Sequence, residues 1–465
     1  MTSSRSLPLL FVAALLLPRA VAGADVVLDW NELALAQVVA AGQLPPDGSR
    51  TMALVHVAMF DAVDAVDRRY LPYEFDERAT GDVSAEAAAA SAAHAILAGL
   101  FPDRRATVDG ALAASLAALP DDARRRAGVA LGEAVAARCL ELRAGDGSAA
   151  PERYRPWAAP GGYVPTAIPV SSPWGAVRPW FLASGDELRP AAPPELAGDA
   201  WARDYEEVRR LGRRSGSART DFETESARFW IVTGPAAWNP VVRALAASAP
   251  ARLIDRARLF ALVNLAAADA FVAVFDAKYT YGFWRPITAI RNGAVDGNDA
   301  TGPEPGWLPL VDTPMHPEYP CAHCITAAAV ARVLEAEFGA AEVPSIEMTS
   351  PTTPGVTHRW TRLSDYVSEV SNARVCGGIH YRTSTQVGEA MGRRIGELAL
   401  ARVLTPLDPT AAGSPSAPPA VDAADFPANR AQVARGTRAA TQSQGTDALH
   451  SPASPVSKPS AKSEP

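Results

Sequence analysis

The sequence predicts an all-α protein, a helical bundle with long ordered loops, and three observations carry that prediction. Apolar residues recur mostly at helical spacing, strand-like alternation is scarce, and Gly and Pro gather in a few segments instead of punctuating the whole chain. At 465 residues, 48% of them hydrophobic, the chain is long enough for a sizeable core built from two or three units.

Taken in order, the first element is not fold. Met1–Ala22 has Arg5 ahead of an apolar stretch from Leu7 to Leu17 and a small-x-small ending at Ala20 and Ala22. This is the pattern of an export signal cleaved after Ala22 or Ala24, which places the mature protein in the periplasm or outside the cell. The apolar run is shorter than the roughly 20 residues that span a bilayer, and no later stretch reads as a stable membrane span. Residues 23–144 form an N-terminal helical region. Arg50–Val66 puts Val55, Met59, Ala62 and Val66 on one stripe, Ser84–Phe101 is alanine-dense with no breaker before Pro102, and Ala123–Leu142 continues the pattern. Residues 145–194 are rich in Pro, Gly and Trp; with Trp157, Trp174 and Trp180 they read as an ordered surface connection. A C-terminal helical bundle follows over 195–403, with helices at Ala251–Phe275, Ile325–Phe338 and Val387–Val403. Residues 404–465 hold ten of the forty prolines and a single aromatic, Phe426, too little apolar area to offset the cost of ordering, and are expected to be a disordered tail.

Charge excludes some functions. Forty-four Lys and Arg against 51 Asp and Glu leave a net charge of -7, which argues against a broad nucleic-acid footprint. Four cysteines are too few for a disulfide-built scaffold. The unusual residues gather instead between positions 278 and 380. Four of the seven histidines, His316, His323, His358 and His380, lie there. Lys278 and Arg285 are seven apart, so on one helix they share a face, with Pro286 ending that helix. Pro320 precedes an apolar helical run, which leaves free amides and the positive helix end near Cys321 and Ala322. In Arg374–His380, Gly377 and Gly378 allow the backbone to approach a ligand closely. Three cations and a helix N-terminus suit a tetrahedral oxyanion, and two histidines add a nucleophile or metal-directed nitrogen and an acid–base group.

Read together, K-x6-R-P at Lys278–Pro286, P-C-A-H at Pro320–His323 and R-x5-H at Arg374–His380 resemble the three-part signature shared by vanadium-dependent haloperoxidases and type 2 phosphatidic acid phosphatases. The likeness extends from about Val26 to Arg402, including the D-W-N opening at Asp29–Asn31, as in bacterial secreted haloperoxidase-like proteins. It implies a bundle of the haloperoxidase/acid phosphatase type. Vanadate, or phosphate in the same site, would be held by Lys278, Arg285 and Arg374, with Cys321, Ala322 and Gly377 lining the oxyanion site. His380 would be the axial vanadate ligand or the phosphorylated nucleophile, His323 the acid–base group, and Lys278 the group that polarises peroxide. The substrates would be hydrogen peroxide and a halide, or a phosphate ester. His316, seven residues before His323, occupies the place of a second histidine in bromoperoxidases and a phenylalanine in chloroperoxidases, which favours bromide or iodide.

Two positions depart from the family pattern. Cys321-Ala322 stands where serine-glycine is usual, and a thiol donates weakly and is open to oxidation by peroxide. Ser384 stands four residues after His380, where an aspartate is common, so a carboxylate orienting His380 is missing or comes from elsewhere. Asp276 and Asp312 are near enough in sequence to be considered as partners of His323. The C-x-x-C of Cys321–Cys324 also admits a redox dithiol or a disulfide, but no βαβ pattern surrounds it, and Ile325 after Cys324 excludes c-type haem. Short zinc-ligand spacings are absent. A non-catalytic oxyanion-binding protein is the remaining alternative.

Overall fold

The computed structural model describes residues 25–408 except residue 166. The expected export signal and all but the first few residues of the expected tail lie outside the described residues. Within them thirteen α-helices follow one another: α1 Val26–Ala40, α2 Pro45–Val66, α3 Ala85–Leu100, α4 Arg105–Ala117, α5 Ala123–Leu142, α6 Asp199–Leu211, α7 Asp221–Phe229, α8 Asn239–Ala247, α9 Leu253–Tyr281, α10 Pro286–Arg291, α11 Ala322–Phe338, α12 Leu363–Cys376 and α13 Arg382–Arg402. The β-structure is one small antiparallel hairpin, β1 Ile346–Thr349 with β2 Thr357–Trp360, in the register Ile346 opposite Trp360. The protein is all-α, as its apolar periodicity predicts.

Local chemistry explains where helices begin. Asp25, Ser84 and Asp122 accept first-turn amides of α1, α3 and α5, and Thr220 with Glu223 forms a reciprocal capping box on α7. The first bundle packs α2 and α5 against α3. Its closest approach is made by Gly128 and Gly132 of α5, where a Cβ would come within 2.4 Å of Ser84 O and 2.3 Å of Ala88 O. The alanine density of α3 is thus the counterpart of glycines on α5. The second bundle packs α11 between α13, α9 and α12, and α2 joins the two bundles by lying along α9. Of the described helices, α9 is the one long and apolar enough to cross a membrane, yet 94% of its most apolar window is buried inside the protein. An all-round apolar helix is the mark of a core element, and α9 is one.

Residues 145–194 hold little regular structure, but Trp174 and Trp180 are buried while Trp157 is exposed. Buried Asp269 on α9 accepts the amides of Trp180, Phe181 and Leu182, and Arg189 forks onto Asp276 at 2.7 and 2.8 Å. These carboxylates bind the connection to the long core helix. The first residues of the expected tail are held to the fold: Leu404 is buried, Thr405 O accepts the Leu71 amide, and the Leu407 amide donates to Arg69 O. Arg258 Nε also donates to Leu404 O at 2.7 Å, so one apolar side chain, two backbone bonds and an arginine hold that short stretch.

Candidate oxyanion site

The motif residues come from three helix ends. Lys278 lies in the last turn of α9, which stops at Tyr281 because Gly282 takes the left-handed conformation (φ 54°) that caps it. Arg285 is therefore not on the same helix, contrary to the two-turn spacing argument. It is the N-cap residue of α10, with Pro286 at the first helical position. The short turn between them, not a shared face, brings both side chains inward. Cys321 caps α11, so Ala322 opens that helix and its amide lies at the positive end of the helix dipole. Arg374 is in the last turn of α12, and His380 lies in the connection to α13.

Lys278, Arg285, Arg374, His380 and Glu318 are all buried, none more than 3% exposed. Lys278 Nζ donates to the carbonyls of Pro317, Glu318 and Pro320 at 3.0, 2.7 and 2.5 Å. Burial, then the neighbouring Arg285, pushes its pKa well down. Three carbonyl acceptors nevertheless require three protons, so the hydrogen-bond geometry describes an ammonium ion. Arg285 Nε donates to His316 O at 2.9 Å, Nη1 to Ile379 O at 2.8 Å and to His380 Nε2 at 3.2 Å, and Nη2 to His316 Nδ1 at 3.0 Å. Burial lowers Arg285 to about 10 and Arg374 to about 9, with Arg285 adding to the effect on Arg374. Both remain charged at neutral pH. Arg374 Nη1 donates to Trp230 O, but its buried Nε has no partner.

The histidines are held neutral. Burial comes first for His316, His323 and His380, and the pKa of each is driven well below the ordinary value by it together with nearby Lys278, Arg285 or Arg374. Their tautomers follow from their partners. An arginine can only donate, so His380 Nε2 is an acceptor and the ring proton sits on Nδ1, which donates to Glu318 Oε1 at 2.6 Å. His323 Nε2 faces the carbonyl of Val232 at 3.1 Å and must carry the proton, which leaves Nδ1 as its free nitrogen. His316 and His323 are only half-buried, whereas the three cations and His380 lie deeper.

Several sequence-based expectations change here. Cys321 is not a thiol: it forms a disulfide with Cys324, so its sulfur has no proton to offer, and it accepts the Cys324 amide instead. Its own amide donates to Ser384 O at 3.2 Å. Cys321 therefore cannot act as a side-chain donor to an anion. Gly377 and Gly378 serve packing: the Gly377 carbonyl accepts the Val311 amide, and a Cβ on Gly378 would lie 2.4 Å from Gly212 O. Neither candidate carboxylate reaches His323, because Asp276 is held by Arg189 and Asp312 is solvent-exposed beside Arg214. The carboxylate missing from position 384 is supplied by Glu318, with Ser384 Oγ at 3.5 Å from the same nitrogen. His358 belongs elsewhere, stacked on Phe229 and paired with Glu369. Cys139 and Cys376 are free buried thiols. Sequence reading also missed the carbonyls of Trp230 and Val232. The available signal for Glu318 was a lone acid between Pro317 and Pro320, inside the segment that carries His316 and His323.

The charge balance of this centre is informative. Lys278, Arg285 and Arg374 are set against one carboxylate, Glu318, so with neutral histidines two positive charges are in excess in a buried volume. Burial raises Glu318, an effect its two cationic neighbours oppose. Uncompensated buried charge is costly, and a dianionic tetrahedral oxyanion would match both the charge and the unpartnered Arg374 Nε. Among the described residues no group of three or more His, Cys, Asp and Glu side chains is placed to hold a metal cation. An oxyanion gripped through its oxygens by arginines needs no such group. A cavity of about 470 Å³ between α7 and α12, lined by Phe222, Trp360 and Glu369, includes none of Lys278, Arg285, His323, Arg374 and His380.

Comparison with known proteins bears on the fold and on the second bundle. Residues 258–409 match the family model described as the VCPO second helical-bundle domain, a span that includes every motif residue. The vanadium chloroperoxidase of Curvularia inaequalis is 30% identical over 174 residues, covering 30% of this chain and 28% of that protein. The chain thus matches well under a third of that relative's length. Among solved structures, a bacterial vanadium-dependent iodoperoxidase superposes with a TM-score of 0.71 at 24% identity, covering 82% of this chain and 97% of its own. A bacterial vanadium-dependent chloroperoxidase in its holo form gives a TM-score of 0.60 at 17% identity, covering 76% and 91%. The chain thus has the fold of these peroxidases, and its second bundle, which carries the three-part motif, matches the VCPO second helical-bundle domain.

Proposed function

We propose that the protein is an exported vanadium-dependent haloperoxidase that oxidises a halide, bromide or iodide before chloride, with hydrogen peroxide. The observation that carries this reading is the buried, positively unbalanced cluster of Lys278, Arg285 and Arg374 around a neutral His380 whose Nε2 is the unprotonated nitrogen and accepts from Arg285. The three cations and His380 would hold vanadate, which would supply Lewis-acid activation of peroxide for two-electron oxidation of halide without a change in its own oxidation state. Arg285 and Arg374 bind and orient oxyanion oxygens. His380 would hold the vanadate through Nε2, which requires Arg285 to release that nitrogen, and Ala322 would add the helix-end amide. His323, half-buried with Nδ1 free, takes up and returns the proton of the incoming peroxide. Lys278 first holds the 317–320 segment; its role toward peroxide requires it to give up one carbonyl.

His316 supports the halide preference, since a polar imidazole bonded to Arg285 and set 5.3 Å from Phe275 takes the place of a bulky apolar ring. The Cys321–Cys324 disulfide supports export, because such bonds persist in oxidising compartments, and it removes the thiol that peroxide would otherwise consume. Glu318 favours a second reading. A carboxylate behind His380 also suits a phosphatase acting through a phosphohistidine, with phosphate in the oxyanion site.

Purified protein assayed with and without orthovanadate decides between them. Vanadate-dependent oxidation of bromide or iodide by peroxide, lost in His380→Ala, is the expected result. Hydrolysis of p-nitrophenyl phosphate without peroxidase activity selects the phosphatase. Vanadate binding with neither activity identifies a non-catalytic binding protein, and activity unchanged in His380→Ala overturns the site assignment.

A further inference from the structure

We propose that Glu318 is the positioning residue for His380, a carboxylate supplied by the loop before α11 in place of the one absent from position 384 of α13. The inference rests on the oxyanion-site reading above and names the residue that makes its histidine competent. Glu318 is fully buried, and its Oε1 receives both the His380 Nδ1 proton at 2.6 Å and the Tyr381 amide at 3.1 Å. These two bonds fix the ring and the backbone immediately after it. Arg285 approaches the opposite nitrogen, so His380 is gripped at both ends in a single tautomer, with Nε2 as the lone-pair face. A carboxylate accepting the far ring proton raises the donor strength of the near nitrogen, the usual arrangement behind histidines that bind metals.

The loop itself is built to hold Glu318 in place. Lys278 Nζ binds the carbonyls on either side of it and its own carbonyl, the Glu318 amide donates to Phe283 O at 2.9 Å, and Arg285 takes the His316 carbonyl. Both basic residues of the first motif thus anchor the segment carrying the carboxylate. Ser384 Oγ, at 3.5 Å from Nδ1, is too far and too weakly polar to replace it.

Two probes separate positioning from mere packing. On this reading phosphate would be held by the cations alone, whereas vanadate would also take the His380 nitrogen. In Glu318→Gln the affinity for orthovanadate should fall about 10- to 100-fold, while that for inorganic phosphate stays level or improves because a nearby negative charge is gone. Glu318→Ala should lose more vanadate affinity than Glu318→Gln, since the amide oxygen still accepts the Nδ1 proton. Equal losses of both anions, or no loss of vanadate, would overturn the proposal. A second measurement needs no variant of Glu318. The wild-type protein labelled with ¹⁵N-histidine should show a far-downfield Nδ1 proton that disappears in His380→Ala; its absence overturns the proposal even where Glu318→Gln fails to fold. If the protein binds neither anion, the haloperoxidase reading fails, and the proton signal still decides whether Glu318 positions His380.

Discussion

At the scale of single residues, the three cations have different duties although the motif presents them as equivalent. Lys278 spends its protons on carbonyls and Arg285 spends four contacts on His316, Ile379 and His380, so Arg374 is the cation with an idle buried donor. Arg374→Ala should therefore weaken inorganic phosphate binding about 10- to 100-fold, the value of a charge-assisted hydrogen bond, read by titration calorimetry. Arg374→Lys should recover only part of it, because an ammonium cannot both hold Trp230 O and fork onto an anion. An Arg374→Ala protein that binds phosphate as tightly as wild type would exclude Nε from the anion site. The residue types and their spacing were legible in the sequence, and so was the absence of an aspartate at 384. The identity of its substitute was not, since Glu318 and His380 are 62 residues apart and meet only through packing.

At the scale of elements, the site depends on how closely α13 lies on α11. Gly388, Gly392 and Gly396 form a stripe at four-residue spacing, and a Cβ would come 2.8 Å from Cys321 O, 2.2 Å from Ile325 O and 2.8 Å from Ala329 O, respectively. Gly392→Ala should cost about 1–3 kcal/mol by pushing the two helices apart, and should weaken phosphate binding as well, because Cys321 and Ser384 are joined across the same contact. Gly110 on α4 has nothing within 4 Å of its missing Cβ, so Gly110→Ala should stabilise by about 0.4–1 kcal/mol. Chemical denaturation of the two variants checks both signs. Element boundaries were legible where chemistry is local, as at Ala123–Leu142, which Asp122 caps. They were misread at α9, where the helical period suggested that Arg285 shared a helix with Lys278 while Gly282 had already closed it.

At the scale of the whole molecule, a buried polar network joins four helices. Asn31 of α1 donates to His56 Nε2 of α2 at 2.8 Å and to Asn239 of α8 at 2.7 Å, Asn239 meets Asn264 of α9, and Arg243 donates to Asn31. Burial, with Arg243 nearby, lowers His56 to about 3. A histidine depressed in the folded state contributes stability that is complete above its unfolded pKa near 6.5 and is lost as pH falls toward 3. Between pH 7 and pH 5 this amounts to about 2 kcal/mol. His56→Phe should flatten the fall in unfolding free energy over that interval by about this amount relative to wild type, measured in urea. Identical slopes would mean that His56 is not held neutral. The other depressed histidines act in the same direction, so the difference between the two proteins isolates His56.

By itself the sequence determined the all-α class, the core helices and which residue types gather in the motif segments, because helical period, caps and residue types are local properties of the chain. Tertiary structure alone decided which groups meet. It turned Cys321 into half of a disulfide, assigned Lys278 to the carbonyls of the 317–320 loop, gave the paired glycines of 377–378 to helix packing, and brought Glu318 to His380. Those outcomes follow from which buried donors and acceptors find one another when two bundles close around α9. Burial makes every unpaired polar group expensive, and the partner that satisfies it is chosen by proximity in the fold and not by distance along the chain.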